Sequence, residues 1–139
     1  MKILLLIVIL IMIISCNGYR TPSKERFETA CDIQLPKNFK IERDDYQDMN
    51  QDFVLYYTLE LDSLSMQELA QNIRKSKYYR SEIKVNNGIF SDKIFPEKST
   101  SVWIRTMDGY IFRTKDDRHS FIAIIDTISK KAKFTESLD

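Results

Sequence analysis

The stretch "DFVLYYTLELDSLSMQELAQNIRKSKYY", Asp52–Tyr79, decides the fold class, because its hydrophobic period changes halfway along. From Asp52 to Asp62 apolar residues alternate: Phe53, Leu55, Tyr57, Leu59 and Leu61 share one face, and Val54, Tyr56, Thr58 and Glu60 the other. A period of two is that of a half-buried strand. From Ser65 the spacing becomes helical, with Met66, Leu69, Ala70 and Ile73 on one stripe. Ser65 and Glu68 fit a capping box, with Leu64 and Leu69 where a hydrophobic staple belongs. This pattern predicts one main helix over about residues 65–79. Arg74, Lys75, Lys77 and Arg80 at its end suit the negative pole of the helix dipole; the same cluster could form a patch for lipid phosphate or an acidic partner.

Downstream the signals are those of strands. "VWIRTMDGYIFRTK", Val102–Lys115, carries Asp108-Gly109 between two alternating runs, a hairpin signal that pairs Met107 with Tyr110 and Arg105 with Phe112. "FIAIID" is apolar on both faces and reads as a central strand, and "AKFTE" as a last one. Upstream, "FKIER" alternates, while "RDDYQDMNQD" reads as a solvated acidic loop. Residues 81–101 read as a long loop, with Asn86-Asn87-Gly88 and Pro96 as breakers and a short hairpin at Ile83–Phe90. Strand runs interrupted by one helix predict an α+β domain, an antiparallel sheet of four to six strands with that helix on one face.

The 139-residue chain begins differently. Ile3–Ile14 is twelve apolar residues behind Met1 and Lys2, a length typical of a signal-peptide core and short for a membrane span. Ile13-Ile14-Ser15-Cys16 follows, and it resembles the lipobox of bacterial lipoproteins, with Ile14 bulkier than the residue often found there. The resemblance covers about the first 16 residues. It implies cleavage before Cys16, lipidation of its thiol by diacylglycerol and acylation, palmitate included, of the new amine. Two acyl chains anchor stably where one is marginal. The Ile- and Lys-rich composition, with four Ala and three Gly, is similar to that of small envelope lipoproteins of Bacteroidota. The implied organisation is a signal peptide at 1–15, a lipidated tether at 16–37 and a single domain at 38–139. Within the tether a short helix over Ser23–Cys31 would put Phe27, Ala30 and Cys31 on one side. Asn17 after the cysteine, in place of the Asp that retains lipoproteins at the inner membrane of enteric bacteria, points to an outer membrane with the domain facing the periplasm.

Charge and motif content narrow the function. The formal net charge is +1, and loss of Lys2 leaves 20 basic side chains against 20 acidic ones. Nucleic-acid binders show a basic footprint, so none is expected here. With Cys16 lipidated, Cys31 has no disulfide partner and reads as a buried small residue. Asp48-x-Asn50-x-Asp52 resembles the start of a calcium loop but has Phe53 where the turn needs Gly and Leu59 where a bidentate Glu belongs. With a single histidine and no clustered glycines, no metal site or cofactor is expected. A small envelope hydrolase would have to use His119 with Cys31 or a serine, and no nucleophile motif surrounds any of them. The expectation is a non-catalytic binding or accessory lipoprotein, immunity- or inhibitor-like, held at the membrane through Cys16 and recognising a protein partner. A structural part in an envelope assembly is the other alternative. Trp103, Arg105, Tyr110 and Phe112 share one face of the hairpin and form a candidate partner-binding patch if that face is exposed; if it is core, the patch does not exist.

Overall fold

The computed structural model describes residues 21–85, 101–116 and 118–139. The apolar leader, the lipobox with Cys16, and residues 86–100, which include most of the hairpin expected at Ile83–Phe90, lie outside them. The elements run α1 (Ser23–Cys31), β1 (Lys40–Met49), β2 (Asp52–Glu60), α2 (Ser63–Lys75), β3 (Tyr79–Val85), β4 (Val102–Thr106), β5 (Gly109–Lys115), β6 (His119–Asp126) and β7 (Lys131–Leu138). The seven strands form one sheet in the order β1-β2-β7-β6-β5-β4-β3. All neighbours are antiparallel except β3 and β4, which run parallel. The class is therefore α+β and mostly sheet, with seven strands among the described residues against the four to six expected, and with the short helix over Ser23–Cys31 present beside the main one.

One strand is longer than expected and one is new, both from stretches read as loop. The acidic run is not a loop but the outer half of β1, paired with β2 down to Met49 opposite Asp52. It is polar because β1 is an edge strand with nearly every side chain exposed. The chain at 79–85 is β3, whose parallel pairing with β4 lies beyond any local pattern. β6 sits in the middle of the sheet, as its two apolar faces suggested.

One sheet face carries the main core. Leu55, Tyr57 and Leu59 of β2, Ala132 and Phe134 of β7, Ala123 and Ile125 of β6, Tyr110 and Phe112 of β5 and Trp103 of β4 pack there with both helices. The predicted α2 stripe of Met66, Leu69, Ala70 and Ile73 is buried against them. The cap lies one turn-fraction earlier than expected. Asp62, not Ser65, caps the helix, its carboxylate accepting from the Ser65 N–H at 2.7 Å. That hydrogen bond holds the Asp62 carboxyl below the usual carboxylate range, with a smaller contribution from the charge of Lys130. Leu64, expected in the staple, is 77% exposed, whereas Leu61 and Met66 occupy the N′ and N4 positions and are both buried.

Among the described residues the core already takes in side chains ahead of residue 38. α1 forms where the spacing allowed it, but it is part of the core: Phe27 lies against Tyr57, Phe121 and Phe134 at centroid distances of 6.0, 6.2 and 5.1 Å. Cys31, Ile33 and Leu35 behind it are buried too. Residues 23–37 are thus structural rather than a tether.

The β4–β5 hairpin is in a register that opposes Arg105 to Tyr110 and Trp103 to Phe112, leaving Met107 and Asp108 at the tip. Gly109 belongs to the strand. A Cβ on it would lie 1.8 Å from the Ile125 carbonyl oxygen, so only glycine permits that approach of β6.

Candidate functional site

The hairpin's aromatic face is core. Trp103, Tyr110 and Phe112 are 0%, 3% and 0% exposed, so the candidate patch of these rings around Arg105 does not reach the surface. The reason is area: the two helices can cover only one face, and the rings bury the most. The Trp103 indole N–H is satisfied there, donating to the Cys31 carbonyl at 2.8 Å. Arg105 alone among the four is exposed.

Its emergence marks a cleft of about 530 Å³ between α2 and the hairpin. The helix contributes one full-length face, Ser63, Met66, Gln67, Ala70, Gln71 and Arg74, at i, i+3 and i+4 spacing. The opposite wall is Arg105, Thr106, Met107, Gly109 and Tyr110, and Thr127 and Lys130 of the β6–β7 connection close one end. Three cations line it and no carboxylate does. Arg74 is oriented by the core: its Nε donates to the Tyr110 hydroxyl at 2.8 Å, with the guanidinium 6.0 Å from that ring's centroid. Lys130 is fixed at the far end, where its carbonyl accepts from the Leu61 N–H at 3.0 Å, ahead of the helix N-terminus. Such an arrangement can bind anions.

Of the basic cluster at the end of α2, only Arg74 faces this cleft. Lys77 lies 4.0 Å from Asp32, and Arg80 donates to the carbonyls of Lys77 and Tyr79. Much of that cluster therefore ties down the helix end and the turn after it.

A second polar cluster sits at the other end of the sheet. Glu136 of β7 is 0% exposed, on the core face beside Phe134. Its Oε2 accepts from Arg26 Nε at 2.8 Å and its Oε1 from Arg26 Nη2 at 2.5 Å, with His119 Nε2 2.7 Å from Oε1. Arg26 comes from α1, so the cluster fastens that helix to the sheet. His119 is half-exposed and packs on Phe121, 4.6 Å between centroids. A carboxylate that orients a histidine is part of a nucleophilic triad, but among the described residues neither Cys31 nor Ser120 is brought to it. Cys31 is fully buried at the far end of α1. Ser120, next in sequence, faces away and bonds Ser137 at 2.7 Å. Burial also pushes the Cys31 thiol far above its usual range, keeping it protonated and unreactive. A thiol reagent added to the native chain should therefore label Cys31 only after denaturant unfolds it; stoichiometric labelling within minutes in buffer would mean the thiol is accessible.

Among the described residues no group of three or more His, Cys, Asp or Glu could hold a metal ion, and no helix is long and apolar enough to cross a membrane. No protein family, curated protein or solved structure matches the chain. The cleft was missed in the sequence because its walls lie far apart along the chain. One signal pointed to it: an Arg in register with buried aromatics, opposite a helix, must surface at that helix's flank.

Proposed function

We propose that this chain is a lipid-anchored lipoprotein of the bacterial cell envelope, on the outer membrane and facing the periplasm, that acts without catalysis by holding a partner protein in the cleft beside α2. The observation that carries the binding half is the convergence of Arg74, Arg105 and Lys130 on one cleft with no lining carboxylate. A preformed concave site with a few placed polar groups is the usual form of a recognition site, and Arg is enriched in binding hot spots. The anchoring half rests on Ile13-Ile14-Ser15-Cys16. Six residues, Asn17–Pro22, separate Cys16 from α1. Fully extended they reach about 20 Å, which keeps the start of α1 close to the lipid headgroups.

The test is capture from the native envelope after mild crosslinking, comparing the full-length chain with the double variant Arg74→Glu, Arg105→Glu and with Cys16→Ser. Charged hydrogen bonds contribute about 1.5–3 kcal/mol each, so the double reversal should lower partner recovery at least about tenfold while circular dichroism stays unchanged. Cys16→Ser should release the chain from the membrane fraction. Undiminished recovery with both arginines reversed would refute the cleft as the capture site.

A further inference from the structure

We infer that the connections at the Lys130 end of the sheet form an apolar tip that inserts into the surface of the bilayer holding the chain; the anchoring half of the reading above is its premise. Leu64, Ile128 and Met107, at 77%, 73% and 72%, are the most exposed large apolar side chains among the described residues. They are far apart in sequence yet stand at one end of the fold. Lys40, Glu60, Lys131, Asp126 and Gly109 are in register across that end of the sheet. Leu64 lies in the first turn of α2, Met107 at the tip of the β4–β5 hairpin and Ile128 in the β6–β7 turn. Backbone hydrogen bonds join the three connections. The Thr127 N–H and hydroxyl both donate to the Asp108 carbonyl at 2.8 Å, and the Leu61 N–H donates to the Lys130 carbonyl at 3.0 Å. The Asp126 carboxylate closes the β6–β7 turn, accepting from the Ile128 and Ser129 N–H groups at 2.9 Å.

Single exposed apolar side chains are ordinary; these three form a platform. The midpoints of the β6–β7 and β4–β5 pairs are two strand spacings apart, about 10 Å. α2 packs on one face of the sheet, so Leu64 stands out of the line of the other two. Side chains protruding from three braced connections suit shallow insertion at the headgroup–acyl boundary, where buried apolar area supplies the binding. The length of chain ahead of α1 selects the bilayer as the occupant. The Ser23 hydroxyl donates to the Asp44 carboxylate at 2.6 Å, which places the start of α1 beside the middle of β1. From Asp44 to the Lys40 end of that strand is about 13 Å at 3.3 Å per residue. Asn17–Pro22 extend over about 20 Å, so lipids on Cys16 and the apolar tip reach one bilayer together. Tethering makes the contact intramolecular, so a modest apolar area is enough. Asp62, Asp108 and Asp126 outnumber Lys130 on these connections, so the docking is apolar and needs no anionic lipid. It directs the N-terminus of α2 at the bilayer and leaves the Arg74 end of the cleft open.

The experiment uses the full-length lipidated chain reconstituted into phosphatidylcholine vesicles. Leu64→Cys, Met107→Cys and Ile128→Cys are labelled one at a time with the environment-sensitive fluorophore NBD. Met49→Cys, exposed at the β1–β2 turn of the opposite end, is the control, and buried Cys31 stays unlabelled. Nitroxide-bearing lipids should quench all three tip labels and spare the Met49 label. Leu64→Ser combined with Met107→Ser should lower the docked-to-undocked ratio read by the Ile128 label at least about tenfold, with an unchanged melting curve. Adding phosphatidylglycerol should not strengthen the docking. Quenching of all four labels alike, of the Met49 label alone, or of none overturns the inference, and so does quenching that appears only with phosphatidylglycerol. Tip labels unquenched in vesicles but shielded from iodide in the native envelope would overturn it too and assign the tip to a protein. If the chain floats with the vesicles while its tip labels stay unquenched, anchoring stands and only the docking is wrong; a chain that does not float loses both.

Discussion

Arg26→Ala should lower the folding stability by about 3 kcal/mol, a large effect for one side chain at the edge of the core. Its cause is the carboxylate it leaves behind. Glu136 has no exposure to water, and both of its oxygens accept from the Arg26 guanidinium. Removing one partner of a buried ion pair leaves the other charge desolvated and typically destabilises by about 3–5 kcal/mol. The lower end applies because the Arg26 side chain is itself a quarter exposed and His119 still reaches Oε1. With a urea dependence of about 2 kcal/mol per molar, the unfolding midpoint should fall by roughly 1.5 M. The double variant Arg26→Met, Glu136→Met removes both charges together and should lose clearly less than Arg26→Ala alone. A midpoint unchanged in the single variant, or a double variant worse than the single, would mean that the pair does not fasten α1 to the sheet.

Trp103→Ala is the second large effect, about 4 kcal/mol, within the range for deleting a fully buried aromatic ring. The indole is 0% exposed, 5.1 Å from the Phe112 ring centroid, and bonded to the Cys31 carbonyl. For a domain of this size each kcal/mol moves the thermal midpoint by about 4 °C, so a drop of roughly 15 °C is expected by circular dichroism. Trp103→Phe keeps most of the burial and loses the hydrogen bond, which is worth about 1 kcal/mol. The contrast with Arg105 separates structure from recognition. Arg105→Glu should leave the melting curve in place and weaken capture, whereas Trp103→Ala should weaken capture only by unfolding the domain. A Trp103→Ala chain with an unaltered melting curve would place the ring outside the core.

The elements most legible in the sequence were those whose burial has one local period. β2 and α2 each show a single apolar face, and the residues on those faces are the ones buried. The α2 cap was misplaced because Asp62-x-x-Ser65 and Ser65-x-x-Glu68 both satisfy a cap pattern. The carboxylate of Asp62, together with the burial of Leu61 and Met66, favours the earlier start. The hairpin could not be oriented from alternation, since both of its faces are apolar; Val102, Ile104 and Ile111 on the far side are buried as well. α1 was legible as a helix but not as core. It is nine residues long with prolines nearby, and its anchor, Phe27, meets partners in β2, β6 and β7 that only the tertiary fold brings together. Glu136 carried a signal that went unread: "AKFTES" alternates, placing Glu136 in register with Ala132 and Phe134 and so on the buried face, where a carboxylate requires a cation. The partner that answers it, Arg26, stands 110 residues away. The cleft was hidden for the same reason, its cations lying on a helix, a hairpin strand and a turn.

The most direct measurement of the central claim is site-specific photocrosslinking in the native envelope. A crosslinking residue placed at Gln71, on the helix wall of the cleft, is compared with one at Lys133, exposed on the opposite face of the sheet. Capture in the cleft predicts a discrete protein adduct from Gln71 that disappears when Arg105→Glu is added, and no such adduct from Lys133. An adduct from Lys133 and none from Gln71, or a Gln71 adduct indifferent to Arg105→Glu, would contradict it.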